Sequence, residues 1–178
     1  MTLSSSKPSL SSATPPLDGV MPSGELDALK RLADQQAQKV LSKVPVLGSV
    51  AWLMLQQNAG RQTLLGELEW RVMPALMLDQ AKLYLRGLAP VAYVSWAKLD
   101  PAAAERYRSA PHQLTAADWK SGDQIWLVDV LAPFGGAREI LEDLREKVFA
   151  GQALHQLMPV ATDIAKVLTW PALPPSGE

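Results

Sequence analysis

The chain has 178 residues, a formal net charge of −1 and a hydrophobic fraction of 48%. This composition is typical of a soluble globular domain, and it argues against nucleic acid binding, which needs a concentrated basic face. The absence of cysteine excludes disulfides, thiolate zinc sites and a cysteine nucleophile on this chain. The most apolar run, Val44 to Leu55, is too short to cross a bilayer, so we expect no transmembrane segment.

The sequence predicts one folded domain between two tails. Residues 1–22 are rich in serine and proline, which is typical of a disordered segment, and they lack the apolar stretch of a secretory signal. Residues 173–178 are expected to form a flexible C-terminus. The domain itself is predicted over residues 23–172.

The first half of this domain has the spacing of helices. Apolar residues recur every three or four positions from Ser23, a suitable N-cap, and Pro45 is expected to end this first helix. A second helical piece is predicted over 47–55. A third is predicted over 64–80, where Pro74 should produce a kink or start a new turn.

The second half changes to the period of two that is typical of strands. Residues 81–86 and 91–99 predict a β-hairpin, and Asp100 with Pro101 should open a short helix. The strongest strand covers 125–131, a helix follows over 137–149, and two short strands are expected over 153–159 and 165–170. This order favours an α+β fold with a mixed or antiparallel central sheet and flanking helices.

Asp129 is the first candidate site residue, because it interrupts this strongest strand. Strict alternation places Asp129 on the same face as Ile125 and Leu127, with Trp126 and Val128 on the other. Both faces are apolar, so the strand should be central and the carboxylate must be paired, hydrogen-bonded or raised in pKa. The residue is either a functional group or a structural aspartate held by the backbone or by an arginine.

Phe134, Gly135 and Gly136 form the second candidate, a loop between this strand and the next helix. Backbone N–H groups at such a helix N-terminus can surround an anion, and a phosphopantetheine or pyrophosphate would suit it. The loop could equally be a tight strand-to-helix turn. The two histidines, His112 and His155, have no acidic or histidine neighbour at ligand spacing, so no metal site is predicted.

Several segments together resemble one family of enzymes. They are "LGSVAWLM" (47–54), "VMPALMLDQAKLY" (72–84), "PVAYVSWAKL" (90–99) and "DWKSGDQIWLVDVLAPFGG" (118–136). Over residues 41–170 the chain resembles the lysine acyltransferases that activate RTX pore-forming toxins. The resemblance implies a fold like that of the GNAT acetyltransferases and a cytoplasmic homodimer without a bound cofactor. It also implies fatty acyl transfer from acyl-acyl carrier protein to internal lysines of an RTX protoxin.

The resemblance also implies two catalytic residues, of which this chain has one. The family's aspartate corresponds to Asp129, whereas its histidine, in a motif close to Ser-Pro-x-His-Arg, falls on Gly60 in "QNAGR". Glycine cannot act as a base. Three possibilities remain: Gly60→His would restore a lost activity, Asp129 itself serves as the base with a raised pKa, or the fold brings His112 or His155 to the site.

Three functions remain open on the sequence. The first is an acyltransferase that uses Asp129 and a substitute base. The second is a non-catalytic relative that binds acyl carrier protein or a toxin-like partner, and the third is a GNAT-type transferase that uses an acyl-coenzyme A and another amine. Acyl carrier proteins are acidic, so a basic docking face is expected, with candidates Arg61, Arg71, Lys82, Arg86, Arg138 and Arg145.

Overall fold

The computed structural model of the chain describes residues 23–161 and 164–173. The predicted N-terminal tail and all of the predicted C-terminal tail except residue 173 lie outside them. The chain divides after Ala37 into two units. Residues 23–37 are regular helix, and residues from Gln38 onward form the α+β domain that holds every feature discussed below.

The structure confirms the predicted order of helices and strands. The helices are α1 Ser23–Leu55, α2 Glu67–Arg71, α3 Met73–Met77, α4 Pro101–Arg108 and α5 Ala137–Lys147, and a 3₁₀ turn covers Gly60–Gln62. The strands are β1 Ala81–Arg86, β2 Ala89–Leu99, β3 Gln124–Leu131, β4 Leu154–Ala161 and β5 Ile164–Trp170. As expected from the sequence, Asp100 caps α4, accepting a hydrogen bond of 2.7 Å from the N–H of Ala103, and Pro74 starts α3.

Pro45 does not end the first helix, and this prediction is wrong. It lies inside α1, which continues to Leu55. A proline in a helix removes one backbone hydrogen bond, but it need not break the helix where packing holds the next turns in place. That packing is present, because Val50, Leu53 and Met54 are buried in a core cluster with Val72 and Tyr93.

The five strands form one mixed sheet in the order β1-β2-β3-β4-β5, so β3 is central as predicted. The pair β3–β4 is parallel and the other pairs are antiparallel. Helix α5 connects β3 to β4 and packs Leu144 on one face of the sheet against Ile125 and Leu127. The α+β class with flanking helices is therefore confirmed, while the likeness to the GNAT fold stays a prediction.

A β-bulge in β3 changes which way Asp129 points. Ser95 of β2 pairs with Asp129, but the next residue, Trp96, pairs with Leu127, which leaves Val128 as an extra residue in β3. The alternation of faces reverses there. The prediction that Asp129 shares a face with Ile125 and Leu127 is therefore wrong. Asp129 lies on the other face of the sheet, where α2 and α4 lie.

The same region of β3 also separates from β4. Their parallel pairing covers Ile125–Leu127 against Leu154–Gln156 and goes no further. Residues 128–131 of β3 and 156–158 of β4 instead line opposite sides of a cavity. The bulge and the end of the pairing together open the sheet at Asp129.

Among the described residues, no helix combines the length and the apolar character needed to cross a membrane.

Candidate active site

The cavity between β3 and β4 has a volume of about 300 Å³ and is the candidate active site. Roughly ten water molecules occupy a volume of this size. Polar side chains in its wall are Asp129 from β3, Arg71 from the end of α2, Tyr107 from α4, His112 from the loop after α4 and Gln156 from β4. Gln57, just beyond α1, lines it as well.

Asp129 is held in this wall by an ion pair with Arg71. The carboxylate oxygen Oδ1 accepts from Arg71 Nε at 2.7 Å and lies 2.5 Å from Nη2. The backbone N–H of Asp129 donates to the hydroxyl of Ser95 at 3.2 Å. The second carboxylate oxygen, Oδ2, is buried and has no hydrogen-bond partner within the described part of the chain. Arg71 thus fixes one oxygen, and the other is buried without a partner.

Burial gives this carboxylate unusual electrostatics, because Asp129 is only 1% exposed. Loss of hydration raises its pKa above the ordinary value, and the Arg71 guanidinium opposes that rise. Burial and the nearby Asp129 charge also raise the pKa of Tyr107, so its phenol stays protonated. Any cationic group that enters the cavity would stabilise the charge on Asp129 further.

A second buried aspartate serves as a comparison. Asp118 is 6% exposed and also pairs with an arginine, Arg106 Nη2, which lies 2.5 Å from its Oδ1. Its Oδ2 accepts from both the N–H and the hydroxyl of Thr115, at 2.9 and 2.7 Å. Both oxygens of Asp118 are satisfied within the fold, which is the pattern of a structural residue. The open Oδ2 of Asp129 is the pattern of a residue that binds something.

The backbone around Gly60 leaves no room for a side chain. A Cβ built there would lie 2.8 Å from the Cα of Met54 and 2.9 Å from its carbonyl carbon, and closer still to its carbonyl oxygen. These are backbone atoms of α1, so they cannot move aside as a side chain would. Position 60, which the resemblance aligns with the family's histidine, therefore has room only for glycine.

The two histidines lie in different places. His112 lines the same cavity as Asp129, and its Nδ1 lies 3.1 Å from the carbonyl oxygen of Tyr107. His155 does not line it. It stacks on Trp126 with ring centroids 5.1 Å apart, and burial lowers its pKa. Of the two possible substitutes considered from the sequence, only His112 lines the cavity that Asp129 lines.

Phe134, Gly135 and Gly136 line a second cavity, with a volume of about 680 Å³, rather than the cavity of Asp129. Its wall is mostly apolar and includes Trp52, whose ring centroid lies 5.7 Å from that of Phe134. The charged residues in the wall, Arg86 and Glu139, have opposite signs. A role of the loop in holding a donor group stays a prediction, and the lining suits an apolar chain better than a pyrophosphate.

Sequence reasoning assigned Arg71 to a docking surface, whereas the structure places it in the site. The partner of a buried carboxylate is set by tertiary contact, here between residues that are 58 positions apart in the chain. The only signal in the sequence was that a central-strand aspartate needs a partner at all. For the same reason the sequence left open which of His112 and His155 would reach the site.

These features define a class of site. A buried carboxylate with one open oxygen, a phenol and an imidazole around a cavity can hold an amine and exchange protons with it. Comparison with known proteins then places the chain: residues 39–171 match the RTX toxin acyltransferase family, and the chain belongs to that family.

Three relatives illustrate the similarity. The RTX-II toxin-activating lysine-acyltransferase of Actinobacillus pleuropneumoniae is 34% identical over 125 residues, which cover 69% of this chain and 78% of that protein. A protein-lysine myristoyltransferase of Kingella kingae is 33% identical over 106 residues, 60% of this chain and 64% of the relative. Another, of Escherichia coli, is 35% identical over 102 residues, 57% of this chain and 60% of the relative. The similarity therefore spans less than two thirds of the last two relatives.

Restoring a histidine at position 60 is expected to damage the fold. We expect Gly60→His and Gly60→Ala each to lower the free energy of unfolding by about 1–3 kcal/mol, because the Cβ alone collides with Met54. Urea denaturation measures this. Gly48→Ala is the control: Gly48 lies in α1 with open space around it, so alanine should be tolerated or stabilise the helix by up to about 1 kcal/mol. Gly60→His with wild-type stability would contradict the geometry.

Removing Arg71 should make stability depend more strongly on pH than it does in the wild type. In Arg71→Met the pKa of Asp129 rises further, so the folded state binds a proton more tightly than the unfolded chain does. The protein therefore loses stability as the pH rises from the ordinary pKa of an aspartate through that raised pKa. We expect a loss of about 3 kcal/mol near pH 8 and a much smaller loss near pH 5. Urea unfolding at both pH values measures it. The double variant with Asp129→Asn should lack this pH dependence, and an equal loss at both pH values would contradict the pairing.

Proposed function

We propose that this protein is a protein-lysine fatty acyltransferase, which takes its acyl group from acyl-acyl carrier protein and modifies internal lysines of an RTX protoxin. Membership of the family supports the class of reaction. The observation that carries the proposal is the buried carboxylate of Asp129, which lines a cavity and whose Oδ2 has no partner among the described residues. A cytoplasmic location and a homodimer are parts of the same proposal.

The cavity suits the lysine substrate. A lysine ε-ammonium donates up to three hydrogen bonds and carries a positive charge. It can therefore complete the pairing of a buried carboxylate that has only one partner. Asp129 Oδ2 can accept from it, with Oδ1 kept in place by Arg71. An ordinary lysine is almost entirely protonated at neutral pH, so it must lose a proton before it can attack a thioester. Holding the nitrogen and removing the proton are the two tasks of this site.

The second cavity suits the acyl donor. Two segments contribute to both cavities. At the end of α1, Trp52 lines the second cavity, and Gln57, just beyond the helix, lines the cavity of Asp129. At the end of β3, Leu131 lines the cavity of Asp129, and Phe134, in the following loop, lines the second cavity. The cavities are therefore neighbours along the same two stretches of chain. In this proposal the acyl chain lies in the apolar cavity beside Trp52 and Phe134.

A second function is favoured by the geometry at Gly60. Because that position is shaped for glycine, the chain has moved away from the family's catalytic pattern, which is what a non-catalytic relative that binds acyl carrier protein or a toxin-like partner would do. A transferase that uses acyl-coenzyme A and another amine is the third possibility. Assays with both donors separate it from the main proposal.

Asp129→Asn should abolish turnover. The amide keeps the size of the side chain but cannot stabilise a cation at Oδ2, so we expect a loss of about 10²-fold or more in rate. The measurement is the intact mass of an RTX-repeat protein after incubation with fatty-acyl-acyl carrier protein and each variant. Asp118→Asn is the matched control, because it changes the other buried aspartate–arginine pair, and it should lower stability without lowering the rate of the folded protein.

The outcomes separate the three functions. A fatty-acyl mass increase that requires the chain and is lost in Asp129→Asn supports the proposal, provided that circular dichroism finds the variant folded. No increase with any donor, together with binding of acyl carrier protein by the wild type, supports the non-catalytic relative. An increase obtained with acyl-coenzyme A but not with acyl carrier protein supports the third possibility.

A further inference from the structure

We propose that His112 is the catalytic base of this protein and replaces the histidine that is missing at Gly60. This inference rests on the proposed function, because it assigns a role within the same reaction. It depends on where His112 lies, which of its nitrogens is free and what the reaction requires at that place.

The fold brings His112 to the site through a tight turn after α4. Its backbone N–H donates to the carbonyl oxygen of Ser109 at 2.9 Å, and its φ of +59° lies in the left-handed region. Residues other than glycine adopt this conformation rarely, and such residues concentrate at functional sites. The side chain is half-buried and lines the cavity that Asp129 also lines, together with Arg71 and Tyr107.

The hydrogen bond at Nδ1 fixes which nitrogen can act as a base. A carbonyl oxygen can only accept, so the contact of 3.1 Å with Tyr107 O requires that Nδ1 of His112 carries the hydrogen. In the neutral ring, Nε2 then holds the lone pair. The arrangement matches the general pattern of a base oriented by a third group, with the Tyr107 carbonyl as the orienting group.

The division of work between His112 and Asp129 follows from their surroundings. Arg71 at Oδ1 favours the charged form of Asp129, which leaves Oδ2 to accept a hydrogen bond from the lysine. The nitrogen Nε2 of His112 removes one proton from the lysine ε-ammonium, and Asp129 Oδ2 accepts a hydrogen bond from the same nitrogen. No residue at position 60 is needed for this step.

His112 and Asp129 also serve the remaining steps of the acyl transfer. The neutral amine attacks the thioester carbonyl carbon, a C–N bond forms and the C–S bond breaks. The thiolate of the donor leaves and takes the proton from the His112 imidazolium, and the new amide nitrogen loses its extra proton to solvent. The products are the acyl-lysine amide, the free thiol of the donor and one proton.

His112→Asn is the variant that tests this role. Asparagine tolerates the left-handed backbone, and its amide N–H can still donate to the Tyr107 carbonyl, but it has no base at the position of Nε2. We expect the rate of acyl transfer to fall by about 10²–10⁴-fold, and added imidazole to restore part of it. His155→Asn is the matched control and should keep the wild-type rate, because His155 lies against Trp126, outside the cavity.

A second measurement does not depend on turnover. Since the chain has two histidines, long-range ¹H–¹⁵N spectra can assign both rings. We expect the neutral His112 ring to carry its proton on Nδ1, and the opposite tautomer would overturn the assignment. His112→Asn with the wild-type rate would also overturn it, as would a folded His112→Asn variant that imidazole does not rescue. A wild-type protein that transfers no acyl group would instead refute the proposed function, and the inference would fall with it.

Discussion

The ion pair between Asp129 and Arg71 is the interaction on which the site depends. Taking a carboxylate out of water costs several kcal/mol unless it is paired, and pairing in this chain uses one oxygen only. A fold that merely needed to satisfy a buried aspartate could do so as it does at Asp118, where both oxygens have partners. The incomplete satisfaction of Asp129 is thus a property that a cationic substrate can use.

The irregularity of β3 creates the space around this pair. A regular strand would place Asp129 on the face covered by α5 and would keep pairing with β4. The extra residue, Val128, turns the carboxylate to the opposite face, and the pairing with β4 ends at Leu127. Bulges often lie beside active sites for this reason: one inserted residue both redirects a side chain and ends a ladder of hydrogen bonds.

Much of the fold follows from local rules. The hairpin, the capped helix after Asp100 and the central strand were predicted from period and capping chemistry. Three errors have one cause, tertiary context. Packing continues α1 through Pro45, a register shift reverses the face of Asp129, and contact between distant segments pairs Asp129 with Arg71. Alternation and spacing cannot report a bulge or a partner 58 residues away.

The central claim is that the cavity of Asp129 binds the lysine that is acylated. The most direct test is a crystal structure of the chain with a peptide whose lysine nitrogen is joined through an acetyl linker to pantetheine. We expect the lysine nitrogen to lie within about 2.6–3.2 Å of Asp129 Oδ2, with the linker leading toward Phe134. A lysine nitrogen bound away from Asp129, for example in the cavity beside Trp52, would contradict the account.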